Sequence, residues 1–240
     1  MNSEEREYES IFNELKKLCR PEAAEGMARF GIKSTNVYGV SIPNLRRMAR
    51  KIGRNHSLAQ PLWSSAIHEA RILASMIDDP DQVTEKQMDC WIKDFDSWDL
   101  CDQCCMNLFR KTSVAWKKAI EWAEERTGEF ERHAGFALMA CLAWYDKESS
   151  DEDFLSFLTV IEQGADDERN YVKKAVNWAL RTIGQRNQYL NRRAIETAAK
   201  IAKTDSRSAK WIAADAIREL TSDAVKGRLD MIRDAEEVSR

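Results

Sequence analysis

Asp102 occupies a position where a carboxylate is chemically unusual. Trp98, Asp102, Cys105 and Phe109 recur at helical spacing within residues 98–110, so the carboxylate interrupts an apolar stripe. A carboxylate in such a position must be paired, hydrogen-bonded or shifted in pKa. Two interpretations stay open: a first-turn aspartate that complements the helix dipole, or a catalytic carboxylate beside an aromatic ring.

Two tryptophans face away from the apolar sides of predicted helices near the C-terminus. Trp178 lies opposite the core stripe of residues 168–185, and Trp211 lies opposite that of residues 206–221. Both rings have basic neighbours, which are Lys174 and Arg181 for the first and Arg207 and Arg218 for the second. Bases neutralise phosphates and a ring offers a flat apolar surface, so the pattern favours contact with a DNA backbone. The alternative is that an adjacent helix buries each ring.

A third basic surface is predicted on the helix at residues 43–54, where Arg46, Arg47 and Arg50 share one side. The net charge is only −3, but residues 31–60 hold six Lys or Arg and no acid, whereas residues 77–103 hold nine acids and two bases. Alone, this helix would present an ordinary solvated face. Together with the basic C-terminal helices it favours a phosphate-binding wall.

Six cysteines, three of them in the run CDQCC, raise the question of a metal site. A structural zinc site needs four Cys or His ligands, usually in two spaced pairs. Here one Cys-x-x-Cys lies inside a helix with no histidine nearby, so we expect neither a metal nor a cofactor. The polar N-terminus does not resemble a secretion signal, which predicts reduced thiols and a cytoplasmic location.

The elements that must position these residues are helices. Four prolines occur, the last at Pro80, and glycine is sparse, so long unbroken helices are expected. Small residues recur about 40 positions apart at Ala134, Ala175 and Ala213, a period typical of HEAT or armadillo units. Further helices are predicted at about 3–20, 113–126, 129–144, 151–164, 191–204 and 224–238.

These patterns predict an all-α fold, a right-handed α-α superhelix built as a HEAT-like repeat solenoid. We expect a single curved domain over 1–240, with 222–240 as a terminal capping helix and tail. An irregular helical bundle is the alternative. No stretch reaches the roughly 18 apolar residues of a membrane span, so no membrane partner is expected.

At this point the segments together resemble a known family, the bacterial AlkD-type DNA alkylation repair proteins. These are alkylpurine DNA glycosylases built from HEAT-like repeats, and the resemblance covers roughly residues 5–222. It rests on the segments YGVSIPNLRRMARKIG, LWSSAIHEARILASMI, DFDSWDLCDQCC, ERHAGFALMACLA, YVKKAVNWALRTIGQRN and AKWIAADAIREL.

The resemblance implies roles for particular residues. Trp98 and Asp102 match a Trp–Asp pair of the family's concave cleft, and Trp178 matches a second cleft tryptophan. A cleft arginine is expected in the segment ERHAGF, where this chain has His133, with Arg132 one residue earlier. A histidine is shorter and only partly charged near neutral pH. DNA affinity or rate is then reduced, or Arg132 replaces the missing group.

The implied activity is hydrolysis of the N-glycosidic bond of N3- or N7-alkylated purines in double-stranded DNA by a monomer. Asp102 would stabilise the oxocarbenium-like sugar and hold the water, and Trp98 and Trp178 would flank the deoxyribose. No deep base-flipping pocket is expected. The change at His133 keeps open a second hypothesis, a DNA-binding solenoid without catalysis. A third is a protein-binding scaffold, since solenoid grooves often hold peptides.

Overall fold

The computed structural model describes residues 3–32 and 36–238, and these residues form helices and connecting segments with no strand. The predicted irregular segment at residues 31–41 is non-helical at 31–32 and 36–41, and its residues 33–35 lie outside the described part of the chain. The prediction of an all-α fold is therefore confirmed. The chain divides into two compact units, Met1–Val114 and Ala115–Arg240.

The first unit contains seven α-helices among its described residues. They are α1 (Ser3–Lys17), α2 (Pro21–Arg29), α3 (Ile42–Ile52), α4 (His56–Ser64), α5 (His68–Ile77), α6 (Glu85–Trp91) and α7 (Trp98–Asn107). Short 3-10 turns at Ile92–Asp94 and Phe109–Lys111 follow the last two.

Aromatic packing forms much of the core of the first unit. The rings of Trp63 on α4 and Trp91 on α6 stack with centroids 3.8 Å apart, and Phe95 and Phe109 pack against them. α5 is the central helix of this unit, since α3, α4 and α7 all contact it. The helix that carries Asp102 is thus supported directly by the most buried helix of the unit.

The second unit contains seven α-helices among its described residues. They are α8 (Ala115–Glu125), α9 (Glu129–Tyr145), α10 (Asp151–Gly164), α11 (Asn170–Gly184), α12 (Gln188–Ile201), α13 (Arg207–Leu220) and α14 (Asp223–Val238). The predicted capping helix and tail at 222–240 coincides with α14 up to residue 238, and residues 239–240 lie outside the described part. The single domain over 1–240 stays a prediction.

The repeat predicted from alanine spacing corresponds to helices that pack in series. Ala134, Ala175 and Ala213 are buried on α9, α11 and α13, and α11 contacts both of the other two. α9 also packs closely on α8. A Cβ added at Gly135 would lie 2.4 Å from the Ala123 backbone nitrogen, so the two helices could not approach this closely with a side chain there. Small residues let these helices approach, as the HEAT-like interpretation requires.

The structure corrects several predicted helix boundaries. α1 ends at Lys17 rather than near residue 20. α12 begins at Gln188 rather than 191, because Asn187 accepts a hydrogen bond from the Leu190 N–H at 2.8 Å and so caps the helix. α7 ends at Asn107 rather than 110, and a 3-10 turn replaces its predicted last residues. None of the described helices combines the length and apolar character needed to cross a membrane.

Candidate functional site

Helix α7 presents Trp98 and Asp102 one turn apart. The inner side of the helix is fully buried through Leu100, Cys101 and Cys104, whereas Trp98 and Asp102 are both half-buried. The apolar stripe therefore carries a carboxylate at the edge of the core, within reach of solvent. Burial raises the pKa of the Cys101 and Cys104 thiols well above their usual range, so these cysteines pack as small apolar side chains.

The Trp98 ring is held by a long-range hydrogen bond. Its Nε1–H donates to the Phe30 carbonyl, which follows α2, at 2.9 Å. The connection after α2 is in turn held by Glu69 of α5, a carboxylate that is almost fully buried. It accepts from the backbone N–H groups of Tyr38 and Gly39 at 2.9 and 2.6 Å. The orientation of Trp98 thus depends on contacts well outside α7.

A histidine–aspartate pair fixes the first turn of α7 to α5. Nε2 of His68 lies 2.9 Å from Oδ2 of Asp99, the residue after Trp98, and His68 is buried. Burial by itself lowers the pKa of His68. The hydrogen bond and charge of Asp99, with the charges of Glu69 and Asp96, outweigh this effect and raise the pKa above its ordinary value.

The second unit presents two tryptophans on neighbouring helices. On α11 the predicted core residues are buried, and Trp178 is half-buried. On α13, Trp211 is 41% exposed, so the prediction that an outward face carries this ring is confirmed. The predicted set omits Lys173, whose Nζ lies 5.4 Å from the Trp211 ring centroid and forms a cation–π contact. In the sequence, the position of Lys173 next to Lys174 in the run YVKK indicates a second basic residue on this part of α11.

The basic residues near these rings differ in how far their charge is already neutralised. Arg181 forms ion pairs with Glu219 and Asp215, and Arg218 pairs with Asp215 as well. Lys174 and Arg207 are exposed and form no ion pair with any residue that the structure describes. The positive charges of Lys174 and Arg207 are therefore not offset by an ion pair within the described part of the chain, and they can attract an anionic partner more strongly.

His133 and Arg132 on α9 are both engaged inside the second unit. His133 is only 4% exposed, and its Nδ1 lies 3.0 Å from the Tyr171 carbonyl. Because a carbonyl only accepts, Nδ1 carries the proton in this contact. Arg132 donates to the Ala123 carbonyl and to Asp167, each at 3.0 Å. Both side chains thus join α9 to neighbouring segments.

In the first unit, the predicted basic face on α3 is exposed at Arg46, Arg47 and Arg50. No ion pair joins these three to a described residue, whereas Lys51 pairs with Glu14 at 3.6 Å. A shallow depression of about 210 Å³ lies beside them, and its lining includes two residues that the prediction omits, Asn107 and Lys111.

Neighbouring arginines add positive charge near the depression. Partial desolvation lowers the pKa of Lys111, and the charges of Arg110 and Arg54 lower it further. Such a cluster of cations, with an amide beside it, is suited to bind a phosphate group. Helix α3 has Pro43 in its first turn and ends at Ile52, and Gly53, which follows it, has a φ of +76°.

Comparison with known proteins places the chain in a family. A family model described as DNA alkylation repair enzyme matches residues 11–220. The chain belongs to this family. Every candidate residue described above lies within the matched range.

A solved structure has the same fold over nearly its whole length. It is described as belonging to "a new family of proteins related to the HEAT-like repeat DNA glycosylases with affinity for branched DNA structures". The TM-score is 0.75 at 21% identity, and the match covers 92% of this chain and 95% of the other. The HEAT-like repeat fold is thereby confirmed. No curated protein gives a significant match to the chain.

Proposed function

We propose that the protein is a DNA repair glycosylase that hydrolyses the N-glycosidic bond of N3- or N7-alkylated purines in duplex DNA. The observation that carries this proposal is the half-buried carboxylate of Asp102, one turn after Trp98 on a helix held by long-range hydrogen bonds. Membership of the DNA alkylation repair family supports it.

The chemistry asked of Asp102 is electrostatic. An alkylated purine already carries a positive charge, so it leaves as a neutral base without protonation. As the bond to the sugar breaks, positive charge develops on the deoxyribose, and a nearby carboxylate stabilises it. Asp102 also accepts a hydrogen bond from the attacking water, whose oxygen forms the new bond to the sugar carbon while its proton passes to solvent. The Trp98 ring face would favour the same positive charge.

Binding of the duplex is assigned to the cations that have no carboxylate partner among described residues. In the first unit we assign it to Arg46, Arg47 and Arg50. In the second unit Lys174 and Arg207 contribute charge, while Trp178 and Trp211 offer ring surface. Contacts of this kind go to phosphate and sugar and carry no sequence information, which suits an enzyme that acts wherever a damaged base occurs.

The proposal is tested by incubating the protein with methylated duplex DNA and measuring released 7-methylguanine and 3-methyladenine. We expect release by the wild type and its loss in Asp102→Asn. Asp96→Asn is the matched control, since this exposed aspartate lies six positions earlier. Equal release by the wild type and Asp102→Asn contradicts the proposal.

A second candidate is DNA binding without base release, and the position of His133 favours it. The resemblance expects an arginine there, but this histidine is buried and bonded to Tyr171, and Arg132 is bonded to Asp167. The solved relative is described as having affinity for branched DNA. Salt-dependent binding of duplex or branched DNA with no release of either base supports this candidate, and release supports the first.

A further inference from the structure

A second concave site lies in the second unit, where the C-terminal ends of α9 and α11 meet α14. Its volume is about 400 Å³, and its lining includes Trp144, Tyr145, Lys147, Gln185, Arg186 and Arg228. A volume of this size lies within the range of roughly 300–1,000 Å³ that is typical of small-molecule sites. None of these residues belongs to the proposed glycosylase machinery.

Two large aromatic rings stand at the mouth of this site. Trp144 is 54% exposed and Tyr145 is 45% exposed, both in the last turn of α9. Most other tryptophans of the chain are buried or half-buried. An accessible indole face offers a stacking surface for another flat ring.

Three cations surround the rings, and each is hydrogen-bonded to neutral oxygens. Lys147 Nζ donates to the Trp144 carbonyl at 2.7 Å, and Arg228 donates to the Gln185 side-chain oxygen at 2.5 Å. Arg186 donates to the carbonyls of Ala143 and Asp146, both at 2.6 Å. None of the three cations forms an ion pair with a carboxylate of a described residue.

The nearest carboxylates only partly offset this charge. Asp146 is already engaged, because its side chain accepts from the Ser149 hydroxyl at 2.7 Å and from the Trp116 indole at 3.3 Å. Burial lowers the pKa of Arg186, and partial burial together with the charge of Arg186 lowers the pKa of Lys147. Lys147 and Arg186 thus repel each other, and an anion between them would relieve that repulsion.

We propose that this site binds a nucleotide, with the base stacked on Trp144 and the phosphate held by Lys147, Arg186 and Arg228. A flat ring joined to an anion is the chemistry that exposed indole and uncompensated cations recognise together. The nucleotide is supplied either by an unpaired DNA strand or by a free mononucleotide. The inference does not depend on the glycosylase proposal, since it uses none of the same residues.

The test measures binding of a fluorescein-labelled oligothymidylate to the full-length protein by fluorescence anisotropy. Trp144→Ala is expected to weaken binding roughly 5- to 150-fold, the range found for loss of one stacked base, while Trp144→Phe retains most of the affinity. Tyr189→Ala is the matched control, because Tyr189 is a 39% exposed aromatic outside the site. It is expected to bind as the wild type does.

The phosphate contact has its own readout. Lys147→Gln is expected to reduce the slope of log affinity against log salt by about 0.7, the value for one phosphate contact on a single strand. Lys203→Gln, at an exposed lysine outside the site, is expected to leave the slope unchanged. Displacement of the oligonucleotide by thymidine monophosphate indicates a mononucleotide site, and its absence indicates a strand site.

Three results overturn the inference. The first is equal affinity of the wild type and Trp144→Ala for oligothymidylate. The second is no binding of either oligothymidylate or thymidine monophosphate. The third is displacement by oligoglutamate that is as effective as displacement by oligothymidylate and is unaffected by Trp144→Ala, which indicates a site for acidic peptides. Base release and its dependence on Asp102 are measured separately, so the two proposals fail independently.

Discussion

Trp98 and Asp102 owe their positions to side chains and carbonyls on other helices. The Phe30 carbonyl holds the Trp98 ring, and His68 holds Asp99 at the start of the same helix. Neither contact is within one helical turn, so α7 is fixed by tertiary structure rather than by its own sequence. A catalytic group gains most when the shell around it is rigid in this way.

The His68–Asp99 pair makes stability depend on pH near neutrality. The pKa of His68 is raised in the folded protein above its ordinary value of 6.5. The stabilisation it provides is therefore fully present below about pH 6.5 and is lost as the pH rises through the folded pKa. We expect the free energy of unfolding of the wild type, measured by urea denaturation, to fall as the pH rises from about 6.5 through the folded pKa of His68.

In His68→Gln the corresponding fall should be absent, because the titrating group is gone. Asp99→Asn should flatten the profile as well, since it removes the charge that raises the pKa. A fall that persists unchanged in both variants contradicts the assignment to this pair.

At the scale of residues, the sequence predicts positions better than partners. Helical spacing places Asp102 within an apolar stripe and Trp211 on an outer face, and the structure has Asp102 half-buried on that helix and Trp211 exposed. The ion pairs of Arg132 and Arg181 join residues 34 or more positions apart, so no local pattern reveals them. For the same reason the burial of His133 against Tyr171 could not be predicted from the segment ERHAGF alone.

At the scale of helices, the contact between α8 and α9 depends on the absence of a side chain at Gly135. A Cβ there would lie 2.4 Å from the Ala123 nitrogen and 2.9 Å from the Ala119 carbonyl oxygen. These are backbone atoms, which cannot move aside as a flexible side chain can. The close approach of α8 and α9 thus requires glycine at position 135.

Gly135→Ala is expected to destabilise the protein by about 1–3 kcal/mol, because the helices must separate to admit the methyl group. Gly26→Ala is the matched control, since this helical glycine on α2 has no atom within 4 Å of its added Cβ. It should raise stability by about 0.5–1 kcal/mol, as the unfolded chain loses freedom. Chemical denaturation measures both, and equal effects of the two substitutions would contradict the packing described.

Helix existence is predicted well from the sequence because apolar periodicity is long and prolines are few. Helix ends are predicted less well, because capping depends on which polar side chain reaches a free N–H group. Asn187 does so at the start of α12, whereas Ser41 and Ser97 precede α3 and α7 without a side-chain capping bond. Serine at such a position therefore indicates a helix start without fixing its geometry.

At the scale of the whole molecule, the net charge of −3 does not show which basic side chains are paired with acids and which are not. Many bases of the second unit are paired with acids, while Arg46, Arg47 and Arg50 on α3 have no such partner among described residues. Under the proposed function, electrostatic attraction to a duplex comes from these cations rather than from the overall composition.

Replacing Arg46, Arg47 and Arg50 together with glutamine should weaken duplex binding at every sequence alike. The slope of log affinity against log salt should fall by up to about 2.7, since each phosphate contact on B-DNA contributes about 0.9. Lys51→Gln is the control, because Lys51 pairs with Glu14. Anisotropy titrations across a salt series measure the slope, and a triple variant with the wild-type slope excludes α3 from the interface.

The most direct test of the central claim is the single-turnover rate of 7-methylguanine release from a duplex with one defined lesion. The wild type and Asp96→Asn are expected to release the base at the same rate. Asp102→Asn is expected to be slower by about 10²–10³-fold, the loss typical of one electrostatic group at a developing charge. An unchanged rate in Asp102→Asn, or a wild-type rate no faster than spontaneous depurination, would contradict a glycosylase centred on Asp102.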